Sequence, residues 1–167
     1  MTYGLAIDPN TNRSGLCLFR DDRVVWSMTV KGKDWMQTNN QIFEAVQHQE
    51  RLHGRMAWVA IEDCYLGPNA RTFKLLAMQL GALWAYFADY VPYIYVIPAS
   101  VGPVLGTVDG LLDLHYAVSG RKAATEAYCR MVFPRFAFKT EHEYDAACIG
   151  AAAVGLYNRD AKIEESE

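Results

Sequence analysis

Residues 3–30 read YGLAIDPNTNRSGLCLFRDDRVVWSMTV, and this stretch decides the fold. Tyr3–Ile7 is a short apolar run, and Asp8-Pro9-Asn10-Thr11-Asn12 ends it with turn residues. A second run follows at Ser14–Phe19, and Arg20-Asp21-Asp22 makes the next turn. Arg23–Val30 is then rich in β-branched and aromatic residues. Short strands joined by tight turns predict an antiparallel meander.

Downstream the period changes. Ile42, Phe43, Val46 and Leu52 repeat at helical spacing within Asn39–His53, and Gly54 stands where helices commonly stop. Met56–Ile61 is a continuous apolar run that suits a central strand. Asn69–Ala88 reads as a long helix and Tyr93–Ile97 as a strand ended by Pro98. Gly102–Ser119, bordered by Gly120, carries no assignable element. Arg121–Phe133 reads as a helix stopped by Pro134, and His142–Tyr157 as a last helix rich in Ala and Gly. Three antiparallel strands followed by two helix-linked strands give an α/β fold, a mixed five-stranded sheet flanked by helices. The expected division is one domain over residues 1–157 and a polar, frayed tail over 158–167.

The totals suit that division. A chain of 167 residues, 51% hydrophobic and 21% charged, fills one domain with a real core. The formal net charge of −3 and a pI near 5.8 weigh against broad phosphate binding, so basic contacts must gather on one face. Cys17, Cys64, Cys129 and Cys148 are scattered without a C-x-x-C pair, which speaks against zinc and disulfides and for a reducing cytoplasm. Asp8 interrupts the first apolar stretch, unlike a secretory signal. Gln79 and Asp89 break the longest apolar stretch, Leu75–Val91, which reads as a buried helix and not a membrane span.

Acids fall at telling places. Asp8 ends the first strand, and Glu62 directly follows Trp58-Val59-Ala60-Ile61. Parallel strands place their carboxyl ends at one edge, where ligand sites gather. His142 and Asp145 lie three apart at a helix start, on one helical face. Thr140 with Glu143 fits a capping box, which leaves His142 and Asp145 for a cleft. The small residues after Asp145 let that helix lie close to the sheet. Two strand ends and one helix start thus offer three acids and one His, a set suited to two Mg²⁺ ions about 3.5–4 Å apart. Mn²⁺ would serve the same ligands. His142 would ligate metal or move a proton. The bland alternatives are a turn Asp before Pro, a solvated strand end and a plain helix cap.

These motifs resemble the RuvC family of Holliday junction resolvases, within the RNase H-like class, over about Thr2–Tyr157. Ala6-Ile7-Asp8-Pro9 with Gly15 is similar to the family's opening motif. Ala60-Ile61-Glu62 followed by Asn69-Ala70 is similar to its second motif, and Tyr93–Val101 to its later strand. Lys122 opens a helix as a family lysine does, and His142-Glu143-Tyr144-Asp145-Ala146-Ala147 resembles the closing motif. The resemblance implies a Mg²⁺-dependent endonuclease, a homodimer making paired nicks at a four-way junction, with Asp8, Glu62, His142 and Asp145 as catalytic and metal residues. It also implies that Tyr65 stacks on an unpaired base, a contact worth about 1–3 kcal/mol; an ordinary buried Tyr fits that position too. Candidate DNA contacts are Tyr65, Asn69, Arg13, Arg71, Lys74, Arg121 and Lys122, each of the cations also readable as solvated surface charge. No organic cofactor or membrane partner is implied. The divergence fits a phage-encoded or a bacterial chain acting in the cytoplasm.

The chain departs from the pattern in three places. Asn10 stands where the family has Gly, and Asn tolerates a left-handed backbone. Gly102 stands where the family often has a phosphate-contacting Lys, and the Gly106–Gly120 stretch is longer than usual. In the long helix, Leu76, Leu80, Leu83 and Phe87 form one stripe with Trp84 outside it, which predicts one face on the sheet and another on a second copy. Two rivals share the motifs: an RNase H-like nuclease for flaps, hybrids or other branched DNA, and a non-cleaving branched-DNA-binding protein of the same fold. An actin-like fold also ends its first strand in Asp, but needs two lobes that 167 residues do not supply.

Overall fold

Five strands make one sheet: β1 (Tyr3–Asp8), β2 (Arg13–Arg20), β3 (Arg23–Lys31), β4 (Trp58–Glu62) and β5 (Tyr93–Ile97). Their order across the sheet is β3-β2-β1-β4-β5. The first three are antiparallel neighbours, and β4 pairs in parallel with both β1 and β5. Four helices follow the same chain order, α1 (Trp35–His53), α2 (Ala70–Ala88), α3 (Arg121–Val132) and α4 (Glu141–Glu164). This computed structural model describes residues 1–64, 69–98 and 121–164. The mixed sheet predicted from residues 3–30 and the helix-linked strands is the one observed.

Strand alternation sorts the core into two layers. Leu5, Ile7, Leu16, Leu18, Val59 and Ile61 point to one face and meet Ile42 and Val46 of α1 and Leu83 and Phe87 of α2. Ala6, Cys17, Phe19, Trp58 and Ala60 point to the other and meet α3 and α4. The second layer is built of small residues in its centre, so a helix can come close to the sheet. Gly150 of α4 uses that room: a Cβ there would overlap the ring of Phe19.

Two helix boundaries differ from expectation. α1 starts at Trp35, four residues before the expected Asn39, because Asp34 caps it. Asp34 Oδ1 accepts from Gln37 N at 2.9 Å, and Gln37 Oε1 accepts from Lys33 N at 2.7 Å. α4 does not fray after Tyr157 but continues to Glu164. Its polar end lies on β5: the Tyr95 hydroxyl donates to Asp160 Oδ2 at 3.1 Å, and the Tyr93 and Tyr157 rings meet edge to face at 5.3 Å. Polar residues there solvate the outer side of a docked helix. The unassigned stretch 102–119 and residues 165–167 of the expected tail lie outside the described residues. Among those described, no helix is long and apolar enough to cross a membrane.

The glycines of α2 and α4 should respond oppositely to a methyl group. Gly150→Ala forces the helix off Phe19 and should cost about 1–3 kcal/mol. Gly81→Ala in α2 meets no described atom within 4 Å and should add about 0.5–1 kcal/mol of stability. Thermal and urea unfolding of both variants would check the sign of each.

Candidate active site

Parallel register brings the first two acids together. β1 and β4 pair through Ile7 and Ile61, so Asp8 and Glu62 are the next residues on adjacent strands at one sheet edge. On its other side, Asp8 pairs with Gly15 of β2. A Cβ on Gly15 would overlap the carbonyl oxygen of His142. The missing side chain lets the first turn of α4 rest directly on β2, beside Asp8.

Glu143 holds that turn in place. Its backbone N–H donates to Thr140 Oγ1 at 3.3 Å, as the capping reading expects. The buried carboxylate accepts from Lys139 N at 3.1 Å and from Ser27 Oγ of β3 at 2.5 Å. One residue thus caps the helix and ties it to the sheet. His142 and Asp145, on the same helical face, are then turned into a cleft of about 360 Å³ that Asp8 and Glu62 also line.

His142 Nδ1 donates to Asp8 Oδ2 at 2.8 Å, since a carboxylate only accepts. In the neutral ring this bond leaves Nε2 with its lone pair, able to ligate or to take a proton. The Asp8 carboxylate raises the His142 pKa above its ordinary 6.5; burial opposes the shift, and Glu141 and Asp145 reinforce it. Lys122 reaches across the cleft rim to Glu141, and this ion pair holds the Glu141 carboxyl below the usual 4.5.

Oxygen-rich donors with one imidazole suit a hard divalent cation. Among the described residues, no three His, Cys, Asp or Glu side chains already stand close enough to share an ion. Asp8 is instead engaged by His142. The donor chemistry fits Mg²⁺ or Mn²⁺, and the bond through Asp8 Oδ2 and His142 Nδ1 leaves further carboxylate lone pairs and Nε2 as donors.

The other predicted contacts spread more widely. Lys122 lines the cleft. Asn69 is the N-cap of α2, where its side chain accepts from Arg71 N at 3.1 Å and Thr72 N at 3.2 Å. Its carbonyl oxygen is thereby committed to the helix. Arg71 and Lys74 are exposed on α2, and Arg13 is exposed at the start of β2. Arg121 opens α3, but its side chain, Tyr65 and Gly102 lie outside what the structure describes. Asn10 does not use a left-handed backbone: among the described non-glycine residues only Asp21, at φ 56°, has positive φ. Sequence reasoning missed four cleft-lining residues, Asp63, Cys64, Thr72 and Glu141. Asp63 and Glu141 had a signal, their places beside Glu62 and His142. Of the predicted leucine stripe, Leu80 and Leu83 pack on the sheet layer, and Leu76 and Leu80 line the cleft.

A raised His142 pKa has a definite sign. The folded protein binds that proton more tightly than the unfolded chain. The resulting stability is complete below about pH 6.5 and fades as pH rises through the folded pKa. NMR titration of the metal-free protein should place His142 above 6.5, and Asp8→Asn should lower it. A value unchanged by Asp8→Asn would mean that the hydrogen bond does not form in solution.

No family model matches the chain, and no curated protein matches it either. Solved structures do. The Thermus thermophilus RuvC protein in complex with a Holliday junction substrate matches with a TM-score of 0.68, at 17% identity, over 95% of this chain and 96% of that one. A further Thermus thermophilus RuvC structure matches with a TM-score of 0.67, at 18% identity, over 95% and 97%. The yeast mitochondrial Holliday junction resolvase Ydc2 matches with a TM-score of 0.52, at 13% identity, over 95% and 82%. The chain therefore has the RNase H-like fold in its RuvC-type form.

Proposed function

We propose that this chain is a metal-dependent, structure-selective endodeoxyribonuclease that resolves four-way DNA junctions. One observation carries the reading: Asp8, Glu62, His142 and Asp145, from three separate elements, line one cleft at the carboxyl edge of the parallel strands. The full-length likeness to a RuvC protein bound to a Holliday junction substrate supports the substrate class.

Asp8, Glu62 and Asp145 would hold Mg²⁺ or Mn²⁺, two ions per site, with His142 as ligand or base. Bound there, such ions polarise the scissile phosphate and make water a nucleophile near neutral pH. The chain's own groups do the positioning. Asp8 fixes the imidazole of His142 so that Nε2 faces away from the carboxylate. Lys122, exposed at the rim and paired with Glu141, can exchange that partner for a DNA phosphate. Arg13, Arg71, Lys74 and Arg121 would grip neighbouring phosphates, which would make binding strongly salt-dependent. Tyr65 would stack on an unpaired base. The outward face of α2 exposes Met78 and Trp84, at 46% and 44%, and offers a second copy an apolar seat. A homodimer built on it would carry two sites for two opposed strands.

Cleavage of a labelled four-way junction with Mg²⁺ tests the reading. The intact protein should make paired, symmetric nicks. Asp8→Asn and Asp145→Asn should bind the junction yet cut at least about 100-fold more slowly. Binding without cutting in both Mg²⁺ and Mn²⁺ would leave a non-cleaving branched-DNA binder, and faster cutting of flaps or hybrids would move the substrate. Sedimentation should show a dimer that Trp84→Glu dissociates.

A further inference from the structure

α2 carries a polar residue where its pattern calls for an apolar one. Gln79 lies among Leu76, Leu80 and Leu83 and is fully buried. Its Nε2 donates to the Asn10 carbonyl at 3.1 Å and to Asn39 Oδ1 of α1 at 3.2 Å. Gln79 Oε1 and Asn39 Nδ2 are buried with no hydrogen-bond partner among the described residues. A half-used buried amide costs stability that a fully apolar contact at this position would not. Breaches of local pattern of this kind are expected where function outweighs stability.

The Asn10 carbonyl is also held from the other side. Ser14, fully buried, donates its hydroxyl to Asn10 O at 3.1 Å, and the same hydroxyl accepts from Asn10 N at 3.0 Å. Thr38 Oγ1 of α1 lies within reach of two carbonyls, Thr11 O at 3.1 Å and Asp34 O at 2.8 Å, which share its one proton. The turn that follows Asp8, a wall of the cleft, is thus clamped by side chains from β2, α1 and α2. Negative φ at Asn10 fits this: side chains hold the turn where a left-handed glycine would otherwise shape it.

We propose that Gln79 is a positioning residue. From α2 it pins the Asn10 carbonyl and so sets where Asp8 stands against His142 and Glu62. The proposal rests on the nuclease reading for its consequence in cutting, and on geometry alone for its consequence in the turn. It also links α2, whose outer face is the proposed dimer surface, to the cleft.

The test uses the full chain with Gln79→Met, which keeps volume, and Ser14→Ala, which releases the same carbonyl from the other side. Two readouts are taken: the single-turnover cutting rate against junction Kd, and amide hydrogen exchange at Asn10 compared with Val59 and Ile61 of β4. Both variants should cut at least 10-fold more slowly with Kd changed less than 2-fold. Asn10 should exchange at least 10-fold faster while the β4 amides keep their protection. Unchanged cutting and unchanged Asn10 exchange would overturn the proposal. So would equal loss of protection at β4, which would make Gln79 an ordinary stability residue. If the parent protein cuts no DNA, the nuclease reading fails, and the exchange result still decides whether the clamp holds the turn.

Discussion

At residue 15 the backbone of β2 and the first turn of α4 touch without a side chain between them. The meeting of α4 with the acids at the strand ends depends on that contact. Gly15 is paired with Asp8 in the sheet, so whatever rests on Gly15 rests beside Asp8. What rests there is the carbonyl of His142, and its ring is thereby delivered to hydrogen-bond distance of Asp8. Further along α4, Gly150 lies against Phe19 and keeps the helix axis close to the sheet. Two missing side chains, one on the strand and one on the helix, set the height of α4 above the sheet.

Electrostatics then shape what this close approach has made. Acids crowd the cleft and the helix start beside it, and three of them have a clear partner. His142 answers Asp8, Lys122 answers Glu141, and hydroxyls of β3 with the backbone of Lys139 answer Glu143. Glu143 is the instructive case, because it sits between two cleft residues in sequence yet is turned into the sheet. An α-helix turns by about 100° per residue, so two carboxylates two positions apart, Glu143 and Asp145, take opposite duties. One anchors the helix and the other faces the cleft. A cation entering the site would therefore meet groups already oriented, the His142 ring among them through its bond to Asp8.

The fold was legible because its signals are local. Strand alternation in residues 3–30 and the apolar run before Glu62 depend only on neighbours in the chain. Asp8 and Glu62 could be singled out because each ends such a run, and His142 and Asp145 because they open a helix. Other features escaped for physical reasons. Asp34 looked like one more polar residue until its carboxylate was seen to accept from Gln37 N. The stretch after Tyr157 reads as solvent-loving, and only its seat on Tyr93 and Tyr95 makes it helix. Asn10 suggested a left-handed turn, whereas partners from β2 and α2 hold it otherwise.

Sequence by itself determined the kinds of element, their order and which acids end them, since hydrophobic period and turn chemistry act over a few residues. Tertiary structure alone decided which groups meet. The Asp8–His142 bond spans 134 positions and the Gln79–Asn10 bond 69. Neither has a trace in local pattern, because a contact between distant residues exists only once the sheet and helices have been stacked. The height of α4 above β2, and the turn pinned behind Asp8, belong to that stacking.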